Sequence, residues 1–447
     1  MYNVLIRPLK VEDAQISWKW RNDPEVWKFT GSKPNVKVTF DIENEWILKV
    51  LEDSTSKRFA IIVDGKYVGN IQLTNLDLKS QAAQYHIFIG DKNYWGKGIA
   101  KLATFQILNY AKEILNLKEI YLHVKTNNTN AIEVYKKTGF VKLNQSVDDL
   151  QMVCFLDNMP NPTVSIFCMV YNHEKFISEC LNGFLIQKCN FNFLIVIGED
   201  CSKDDSRKII LEYVANYPGK FKLLLHDKNI GAHKNQQIVL ENCKGKYIAL
   251  CEGDDYWTDQ LKLQKQVDFL EGNEEYKFSM GKVKVLNDST GEIFYKKSKR
   301  VDPSSNETYT LKDYLKGHFS QTSSFVFKNS IEPFPDWINK VHAGDQSIVV
   351  LKTGLHGKIK YHNSFFSVYR SHSTSVSKLN TNIQVNKKFI LTLDYWHEYL
   401  NKEYSFLFLL LKIKYFIEIK KDNVKNRYQR KFYNITGEVI TKIINLL

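Results

Sequence analysis

The sequence predicts an α/β protein with two consecutive domains and a helical C-terminal extension. The chain has 447 residues, which is too long for a single ordinary domain of roughly 100–200 residues. Strand-like and helix-like segments alternate twice, on either side of a proline-rich break near residue 160. Beyond Asn380 only a helical pattern remains. The balance of 43% hydrophobic and 25% charged residues is that of a globular protein.

The first domain is predicted over residues 1–156. Its predicted strands are Val4–Arg7, Phe59–Val63, Tyr67–Leu73, Tyr85–Ile89, Glu119–Val124 and Met152–Leu156. Its predicted helices are Glu12–Arg21, Ala100–Leu115 and Ala131–Thr138. Asp64-Gly65 forms a hairpin-turn pair, and Gly139 stops the last helix. Residues 157–162, DNMPNP, contain two prolines and two asparagines, so they are the best candidate for a linker.

The second domain is predicted over residues 163–378, where a new alternation begins. Its predicted strands are Val164–Met169, Phe193–Ile197, Phe221–Leu225 and Tyr247–Cys251. Its predicted helices are Glu174–Gln187, Ser206–Asn216 and Lys234–Glu241. Apolar strands separated by helices favour a parallel sheet that is covered by helices on both faces.

Residues 379–447 are predicted to form a basic helical extension. Residues 378–447 hold thirteen Lys and Arg against six Asp and Glu, a difference of +7 within a total of +13. Such a segment favours an anionic partner, either membrane phospholipid or a lipid-linked pyrophosphate. The alternative is a solvated basic face that covers a helical core. The positive charge is the only feature that would favour nucleic acid binding, and we do not expect a nucleic acid partner.

Cysteine usage and hydrophobicity indicate the compartment. The seven cysteines are an odd number without a CxxC pair, which indicates reduced thiols in a cytosolic chain. The N-terminal MYNVLIRPLK has no signal-peptide core. The longest apolar run, Phe406 to Leu411, is far below the ~20 residues of a spanning helix. We expect a cytoplasmic protein, with peripheral contact to the inner face of the membrane as one option.

A glycine-rich turn marks the first candidate site. In IFIGDKNYWGKGIA a strand ends, Gly96 and Gly98 turn the chain, and a helix begins. Such a turn directs backbone N–H groups and the positive end of a helix toward an anion. Many glycine-rich turns are only turns, so the motif needs its context.

The context is NNTNAIEVYKKTGF downstream, and together the two motifs resemble the GNAT acetyltransferase superfamily over about the first 145 residues. The resemblance implies a mixed sheet and acetyl-CoA as cosubstrate. The residues implied to offer amides to the CoA pyrophosphate are Gly96, Lys97, Gly98, Ile99 and Ala100. Asn130 is implied to contact the pantetheine arm or to hold the splayed strands, and Tyr135 to protonate the leaving thiolate. Trp95 departs from the Arg or Gln found in many members.

Acetyl transfer also needs an acceptor pocket and a proton acceptor. His86 could act as the base for the acceptor amine, with a backbone N–H of its strand stabilising the oxyanion. The alternative for His86 is an ordinary strand histidine. The early stretch WKWRNDP resembles the branch that acetylates ribosomal protein N-termini and nucleotide-linked amino sugars. By this analogy Trp20 and Arg21 line the acceptor pocket, although Arg21 could equally cap a surface helix.

Two acidic clusters mark the second candidate site. Glu199 to Ser206 follows one predicted strand and contains Asp200, which could bind a base or a ribose hydroxyl. Glu252-Gly253-Asp254-Asp255 ends the strand Tyr247–Cys251. Adjacent carboxylates at a strand end repel each other, so a divalent cation is expected between them.

Four ordered pieces, VSIFCMVYNHEKFISECL, LIVIGEDCSKDDSRKII, NIGAHKNQQIVL and KGKYIALCEGDDYW, resemble family-two glycosyltransferases of the Rossmann-like GT-A fold. The resemblance covers about residues 162–375 and implies inverting transfer from a nucleotide-diphospho-sugar. It implies Tyr171 and Asn172 in the nucleotide pocket, with Asp200 on the base. It implies Asp254 on the ribose or sugar and Asp255 on Mn²⁺ or Mg²⁺. Asp345 is implied as the general base, its alternative being a helix N-cap, and His372 as a group reaching the metal or diphosphate.

The combined hypothesis is a bifunctional enzyme of surface polysaccharide biosynthesis. The first domain would acetylate an amino sugar, and the second would transfer a sugar to a glycan or lipid-linked saccharide acceptor. In one alternative the first domain is a protein or peptide N-acetyltransferase. In another it is a non-catalytic binding module.

Overall fold

The computed structural model describes residues 1–29, 37–295, 307–317, 320–329, 335–341, 344–373, 382–424 and 427–447. The chain divides into two compact units. The first comprises Met1–Ser165, Leu185–Val196 and Arg207–Leu223, and the second comprises Ile166–Phe184, Ile197–Ser206 and Leu224–Leu447. The first unit therefore includes two segments that lie beyond the predicted linker.

The first sheet has seven strands in the order β1-β2-β3-β4-β5-β7-β6. The strands are β1 (Val4–Pro8), β2 (Lys57–Val63), β3 (Lys66–Asp77), β4 (Ala82–Ile89), β5 (Glu119–Lys125), β6 (Val141–Gln145) and β7 (Asp149–Phe155). Neighbouring strands are antiparallel except β4 and β5, which run parallel. The sheet is therefore mixed, as predicted.

Strands β4 and β5 separate soon after they begin. Their pairing covers only Ala82–Gln84 opposite Glu119–Tyr121, although β4 continues to Ile89 and β5 to Lys125. Beyond Gln84 and Tyr121 the facing edges of the two strands have no pairing with each other. This leaves a wedge-shaped gap in the middle of the sheet, with backbone groups available along both sides.

Five helices belong to the first sequence alternation. They are α1 (Ala14–Arg21), α2 (Pro24–Trp27), α3 (Phe40–Leu51), α4 (Ile99–Glu113) and α5 (Thr129–Lys137). Most of the side chains of α4 are buried, including Ile99, Ala103 and Ile107, which join the core of the sheet. The predicted helix Glu12–Arg21 starts as a 3-10 turn, Val11–Asp13, before α1.

The second sheet has ten strands, of which eight follow the order β10-β9-β8-β11-β16-β13-β17-β12, with β14 beside β13 and β15 beside β17. The strands are β8 (Val164–Val170), β9 (Phe193–Glu199), β10 (Phe221–Leu225), β11 (Tyr247–Leu250), β12 (Tyr256–Trp257), β13 (Tyr276–Asn287), β14 (Ile293–Phe294), β15 (Thr308–Thr310), β16 (Val326–Lys328) and β17 (Lys358–Ser371). The parallel arrangement predicted from the strands between residues 164 and 251 does not extend over the whole sheet, because β16 is antiparallel to both β11 and β13. Strands β13 and β17 of this sheet run parallel.

The remaining helices follow the strands of the second sheet and form the C-terminal extension. They are α6 (Ile177–Leu185), α7 (Ser206–Asn216), α8 (Ala232–Asn242), α9 (Lys262–Gly272), α10 (Leu311–Lys316), α11 (Gly344–Thr353), α12 (Asn382–Tyr399), α13 (Ser405–Asn423) and α14 (Arg427–Leu446). Leu393, Trp396, Phe408 and Ile444 form part of a core that ties α12, α13 and α14 together, so the predicted helical extension is confirmed. Within the described ranges, every helix falls short of the length or the apolar character needed to cross a bilayer.

Candidate functional site

The glycine turn lies between β4 and α4. Gly96 and Gly98 have φ values of +71° and +76°, the left-handed region that side chains with a Cβ rarely adopt. Trp95 donates its indole N–H to the carbonyl of Ile89 at 2.8 Å and so ties the turn to the end of the strand. The first amides of α4 have no intrahelical acceptor, as in any helix. The turn therefore presents free N–H groups at a positive helix end.

The other predicted acetyl-CoA residues surround this turn and the following helix. Ile99 is buried and begins helix α4, and Ala100 is its second residue. Lys97 is exposed, with its Nζ 5.7 Å from the ring centroids of both Tyr2 and Tyr94. Asn130 is exposed in the first turn of α5.

Tyr135 is buried in an aromatic group. Its ring centroid lies 5.8 Å from that of Tyr85 and 5.7 Å from that of Phe140. Burial raises the pKa of Tyr135 to about 12. The hydroxyl is therefore protonated at neutral pH, which is the form required of a proton donor.

His86 points away from this group, because neighbouring side chains on a strand face opposite sides of the sheet. Tyr85 is buried and shares a 2.7 Å hydrogen bond with Thr104 of α4, whereas His86 is exposed and lies 2.9 Å from the hydroxyl of Thr74. The pKa of His86 is lowered, first by loss of solvent around its ring and then by the positive charges of Arg58 and His123.

His123 is a residue that the sequence did not reveal. Its Nδ1 lies 2.7 Å from a carboxylate oxygen of Asp149 on β7. The last paired residues of the two strands are Tyr121 on β5 and Gln84 on β4. His123 follows the first by two residues, and His86 follows the second by two residues. The two histidines therefore flank the gap between these strands on one face of the sheet. A histidine oriented by a carboxylate is a common arrangement for proton transfer.

The predicted acceptor residues Trp20 and Arg21 have close protein partners. Trp20 is buried, its ring centroid 4.8 Å from that of Tyr67, and a Cβ added at Gly90 would come within 2.0 Å of the indole. The Arg21 guanidinium lies 4.8 Å and 4.9 Å from the rings of Trp27 and Trp46. Its Nε is 3.5 Å from the buried carboxylate of Glu43. Packing and charge neutralisation account for both side chains, and contact with an acceptor stays a prediction.

The acidic turn after β11 brings Asp254 and Asp255 into different surroundings. His372 Nε2 lies 2.9 Å from an Asp254 carboxylate oxygen. Burial opposes ionisation of Asp254, but the His372 hydrogen bond and the charges of His173 and His372 outweigh it, so the pKa of Asp254 is lowered. Asp255 is buried and accepts the Arg370 backbone N–H at 2.9 Å. Its burial and the charge of Asp254 raise the pKa of Asp255 well above the usual range.

Arg370 is a second residue that the sequence reading passed over. Its side chain is buried and pairs with the carboxylates of Glu179 and Asp288, the latter at 3.3 Å. Its Nε donates to the carbonyl oxygen of Asp254 at 3.2 Å. Arg370 therefore fixes the acidic turn from two directions, through its backbone and its side chain. From this part of the sequence, only His372 was predicted as a site residue.

The predicted nucleotide residues lie in loops after β8 and β9. The two Asp200 carboxylate oxygens accept the backbone N–H groups of Ile230 and Gly231 at 2.7 and 3.0 Å. Asn172, at φ +56°, accepts the Lys203 N–H at 2.8 Å. Tyr171 is 38% exposed. Asp200 and Asn172 thus organise the loops, and binding of a nucleotide base to Asp200 would use its remaining lone pairs.

The acidic turn fits a hard divalent cation. Asp255 is a buried carboxylate beside a second carboxylate, and a cation would relieve this arrangement. The Nδ1 atom of His173 is buried and has no hydrogen-bond partner. It lies against the acidic turn, since a Cβ added at Gly253 would be 2.8 Å from it. Over the described residues no three His, Cys, Asp or Glu side chains converge as ligands. Asp255, with His372 nearby, would hold such a cation, which would supply positive charge beside the donor diphosphate.

Asp345 lies in the first turn of α11. Its side chain and residues 342–343 fall outside the described part of the chain. Its assignment as general base therefore stays a prediction.

Comparison with known families identifies both parts of the chain. Residues 3–141 match the acetyltransferase (GNAT) domain, and residues 165–332 match glycosyl transferase family 2. The chain therefore belongs to the GNAT acetyltransferases over its first third, and a glycosyl transferase family 2 domain follows it. The two families and the α/β fold that the sequence predicted are confirmed.

Each individual relative matches only part of this chain. An uncharacterized protein of Mycobacterium tuberculosis is 35% identical over 222 residues, which is 48% of this chain and 60% of that protein. The spermidine N(1)-acetyltransferase of Escherichia coli is 30% identical over 139 residues, 31% of this chain and 73% of that enzyme. The solved Vibrio cholerae spermidine N-acetyltransferase with CoA and spermine is 24% identical, covers 35% of this chain and 97% of that chain, and gives a TM-score of 0.33. The chain thus spans about 60% of the mycobacterial relative.

Proposed function

We propose that this protein is a bifunctional transferase, with an acetyltransferase at residues 1–156 and a glycosyltransferase at residues 163–378. The acetyltransferase would move an acetyl group from acetyl-CoA to the amine of an amino sugar carried on a nucleotide. One observation carries this part, namely that the amide-rich turn at Gly96 and Gly98 stands beside the gap between β4 and β5. A pyrophosphate at the turn would allow a thioester to reach into the gap.

Three protein groups then serve acetyl transfer. Backbone N–H groups along the open edge of β4 would stabilise the oxyanion. Tyr135, protonated because burial raises its pKa to about 12, would give its proton to the departing thiolate. His123 would accept the proton of the acceptor amine, since Asp149 holds its Nδ1 and leaves Nε2 free to act. His86, our first candidate from the sequence, faces the same gap and is the alternative base.

The glycosyltransferase would transfer a sugar with inversion from a nucleotide diphosphate. Tyr171, Asn172 and Asp200 would form the nucleotide pocket, and Asp254, fixed by His372, would hold the sugar or ribose. Asp255 would hold Mn²⁺ or Mg²⁺, a source of positive charge for the departing diphosphate. Asp345 would accept the proton of the acceptor hydroxyl.

A fusion of these two families suggests consecutive steps on one sugar in surface polysaccharide biosynthesis. The acceptor would then be a glycan or a lipid-linked saccharide, handled in the cytoplasm. Because one relative carries the name spermidine N(1)-acetyltransferase, a polyamine is the competing acceptor for the first domain.

The test measures free CoA and free nucleoside diphosphate released by the purified full chain. The acetyl acceptors are nucleotide amino sugars, spermidine and a peptide, each supplied with acetyl-CoA. Variants Tyr135→Phe, His123→Gln and His86→Gln are compared with Tyr110→Phe, a control tyrosine that packs on Phe59 from α4. Asp255→Asn reports on the second reaction.

The proposal expects CoA release only with nucleotide amino sugars. It expects Tyr135→Phe to slow that release about tenfold to a hundredfold, and His123→Gln to slow it more than His86→Gln. Preferential release with spermidine would replace the sugar by a polyamine. Full activity of both Tyr135→Phe and His123→Gln would contradict the assigned roles.

A further inference from the structure

The outward face of helix α13 is apolar. Phe406, Leu409 and Phe416 are 57%, 53% and 53% exposed, and their spacing places them on one side of the helix together with Ile413. The opposite side contributes Leu407, Phe408, Leu410 and Leu411 to the core of the C-terminal helices. A helix at the surface of a globular protein normally turns polar residues outward. The outward apolar ridge of α13 therefore indicates a surface that meets something other than water.

Helix α14, which packs against α13, carries a second apolar ridge. Its exposed members recur every three or four residues, and they are Tyr428, Phe432, Ile435, Val439, Ile443 and Leu446. Ile440 and Ile444 lie on a different side of the helix and pack in the core of the C-terminal helices. We call the two ridges together, ten large apolar side chains, the C-terminal apolar surface.

Positive charge surrounds this surface. Residues 420–431, which connect the two ridges, contain six Lys and Arg and one Asp. Lys420 continues the α13 ridge, with its Nζ 5.3 Å from the ring of Phe416. On α14, Lys431 and Lys442 lie beside the ridge by helical spacing. Long lysine stems can extend along an apolar layer while their charges stay at its polar boundary.

We propose that the C-terminal apolar surface binds an anionic phospholipid surface, with α13 and α14 lying in the plane of the interface. Apolar side chains would enter the layer below the headgroups, and the surrounding Lys and Arg would contact lipid phosphates. A second copy of the chain is a poorer occupant, because a symmetric interface would bring these like charges together. The inference does not depend on either proposed activity.

The experiment is cosedimentation of the full chain with vesicles. One vesicle is pure phosphatidylcholine, and the other contains about one third phosphatidylserine. The apolar variant Phe416→Ser/Phe432→Ser is matched by Leu211→Ser, an apolar residue of α7 that is 45% exposed. The charge variant Lys420→Gln/Lys431→Gln is matched by Lys208→Gln, an exposed lysine of the same helix α7. Circular dichroism and light scattering report on folding and oligomeric state.

Binding to the anionic vesicles is expected, with much weaker binding to phosphatidylcholine. Each lysine removed should weaken binding about fivefold, the double aromatic variant should lose most of it, and the two controls should bind as the wild type does. Equal binding to both vesicles, or no binding with an intact fold, overturns the inference. Dissociation of a dimer by the apolar variant without any loss of vesicle binding would assign the surface to a second copy instead.

Discussion

Lys262, at the start of α9, is a buried amine without a hydrogen-bond partner. Its residue is 0% exposed, its Nζ lies 4.2 Å from the ring centroid of Trp257, and no protein atom accepts a hydrogen bond from it. Burial lowers its pKa from 10.5 to about 7. Trp257 lies two residues after Asp255 in the chain, so this amine packs close to the acidic turn.

This pKa difference predicts a cost in stability with a defined pH dependence. The lysine keeps its proton up to about pH 10.5 in the unfolded chain, but loses it near pH 7 in the folded chain. The full penalty therefore applies below pH 7, and stability rises with pH between 7 and 10.5, where the unfolded state binds more protons. At about 1.4 kcal/mol per pKa unit the cost is about 4 kcal/mol at pH 7 and about 2 kcal/mol at pH 9.

Lys262→Met should remove this cost, since methionine fills a similar volume with apolar atoms. Allowing about 1 kcal/mol for the lost contact with Trp257, we expect the variant to be stabilised by about 3 kcal/mol at pH 7. The gain should fall to about 1 kcal/mol at pH 9. The measurement is urea-induced unfolding of wild type and variant at both pH values.

Lys265→Met, in the same helix, is the matched control. The Lys265 Nζ is partly exposed and lies 2.7 Å from Asp259, a type of surface pair that contributes less than about 1 kcal/mol. Burial also lowers the pKa of Lys220, to about 8. Its effect on stability is the same in the wild type and in both variants, so it cancels in the comparison. The reasoning fails if Lys262→Met is no more stable at pH 7, or if its gain is the same at pH 9.

Three further predictions concern the two sites. Gly98→Ala should raise the KM for acetyl-CoA about tenfold, because a side chain is strained at the φ of +76° in the glycine turn. The control Gly291→Ala, equally strained at φ +72° with open space around it, should leave that KM unchanged. An equal rise in KM for both variants would disprove acetyl-CoA binding by the amides of the glycine turn. Arg370→Lys should lower the free energy of unfolding by about 2–4 kcal/mol, seen as a lower melting temperature, and should reduce nucleoside diphosphate release. The reason is that lysine cannot reach Glu179, Asp288 and the Asp254 carbonyl together. Wild-type stability and rate in this variant would show that Arg370 does not support the site. A chelator should abolish nucleoside diphosphate release and leave CoA release unchanged, and loss of both activities together would contradict the separate assignments.

The sequence predicted elements whose signal is local. The apolar run Phe59–Val63 and the turn pair Asp64-Gly65 anticipate β2 and the turn into β3, with β2 starting two residues earlier, at Lys57. Each of these signals lies within a few neighbouring residues. Strand β6 escaped prediction because all five of its residues are exposed, so no burial pattern marks it. Helix α3 was missed as well, since Phe40, Ile42, Leu48 and Leu51 are exposed apolar residues that obscure its periodicity.

The site residues that were missed depend on contacts between distant parts of the chain. His123 and Asp149 are 26 residues apart and meet only because β5 and β7 pair in an antiparallel register. Arg370 and Glu179 are 191 residues apart. Their residue types carry no mark of a partner, so neither pair can be predicted from one sequence. The glycine turn and the acidic turn could be predicted because each lies within a few consecutive residues.

Under the proposed function, the two candidate sites would bind a diphosphate in different ways. At the glycine turn, the pyrophosphate of CoA would be a handle far from the reacting thioester, so its charge would not change during the reaction. Neutral N–H groups at a helix end are sufficient for such a group. At the acidic turn, the diphosphate would be the leaving group, and negative charge would grow on it as the glycosidic bond breaks. Partial charges stabilise that change less than a divalent cation does. Asp255, a buried carboxylate whose pKa is raised by burial and by the charge of Asp254, would then retain the cation.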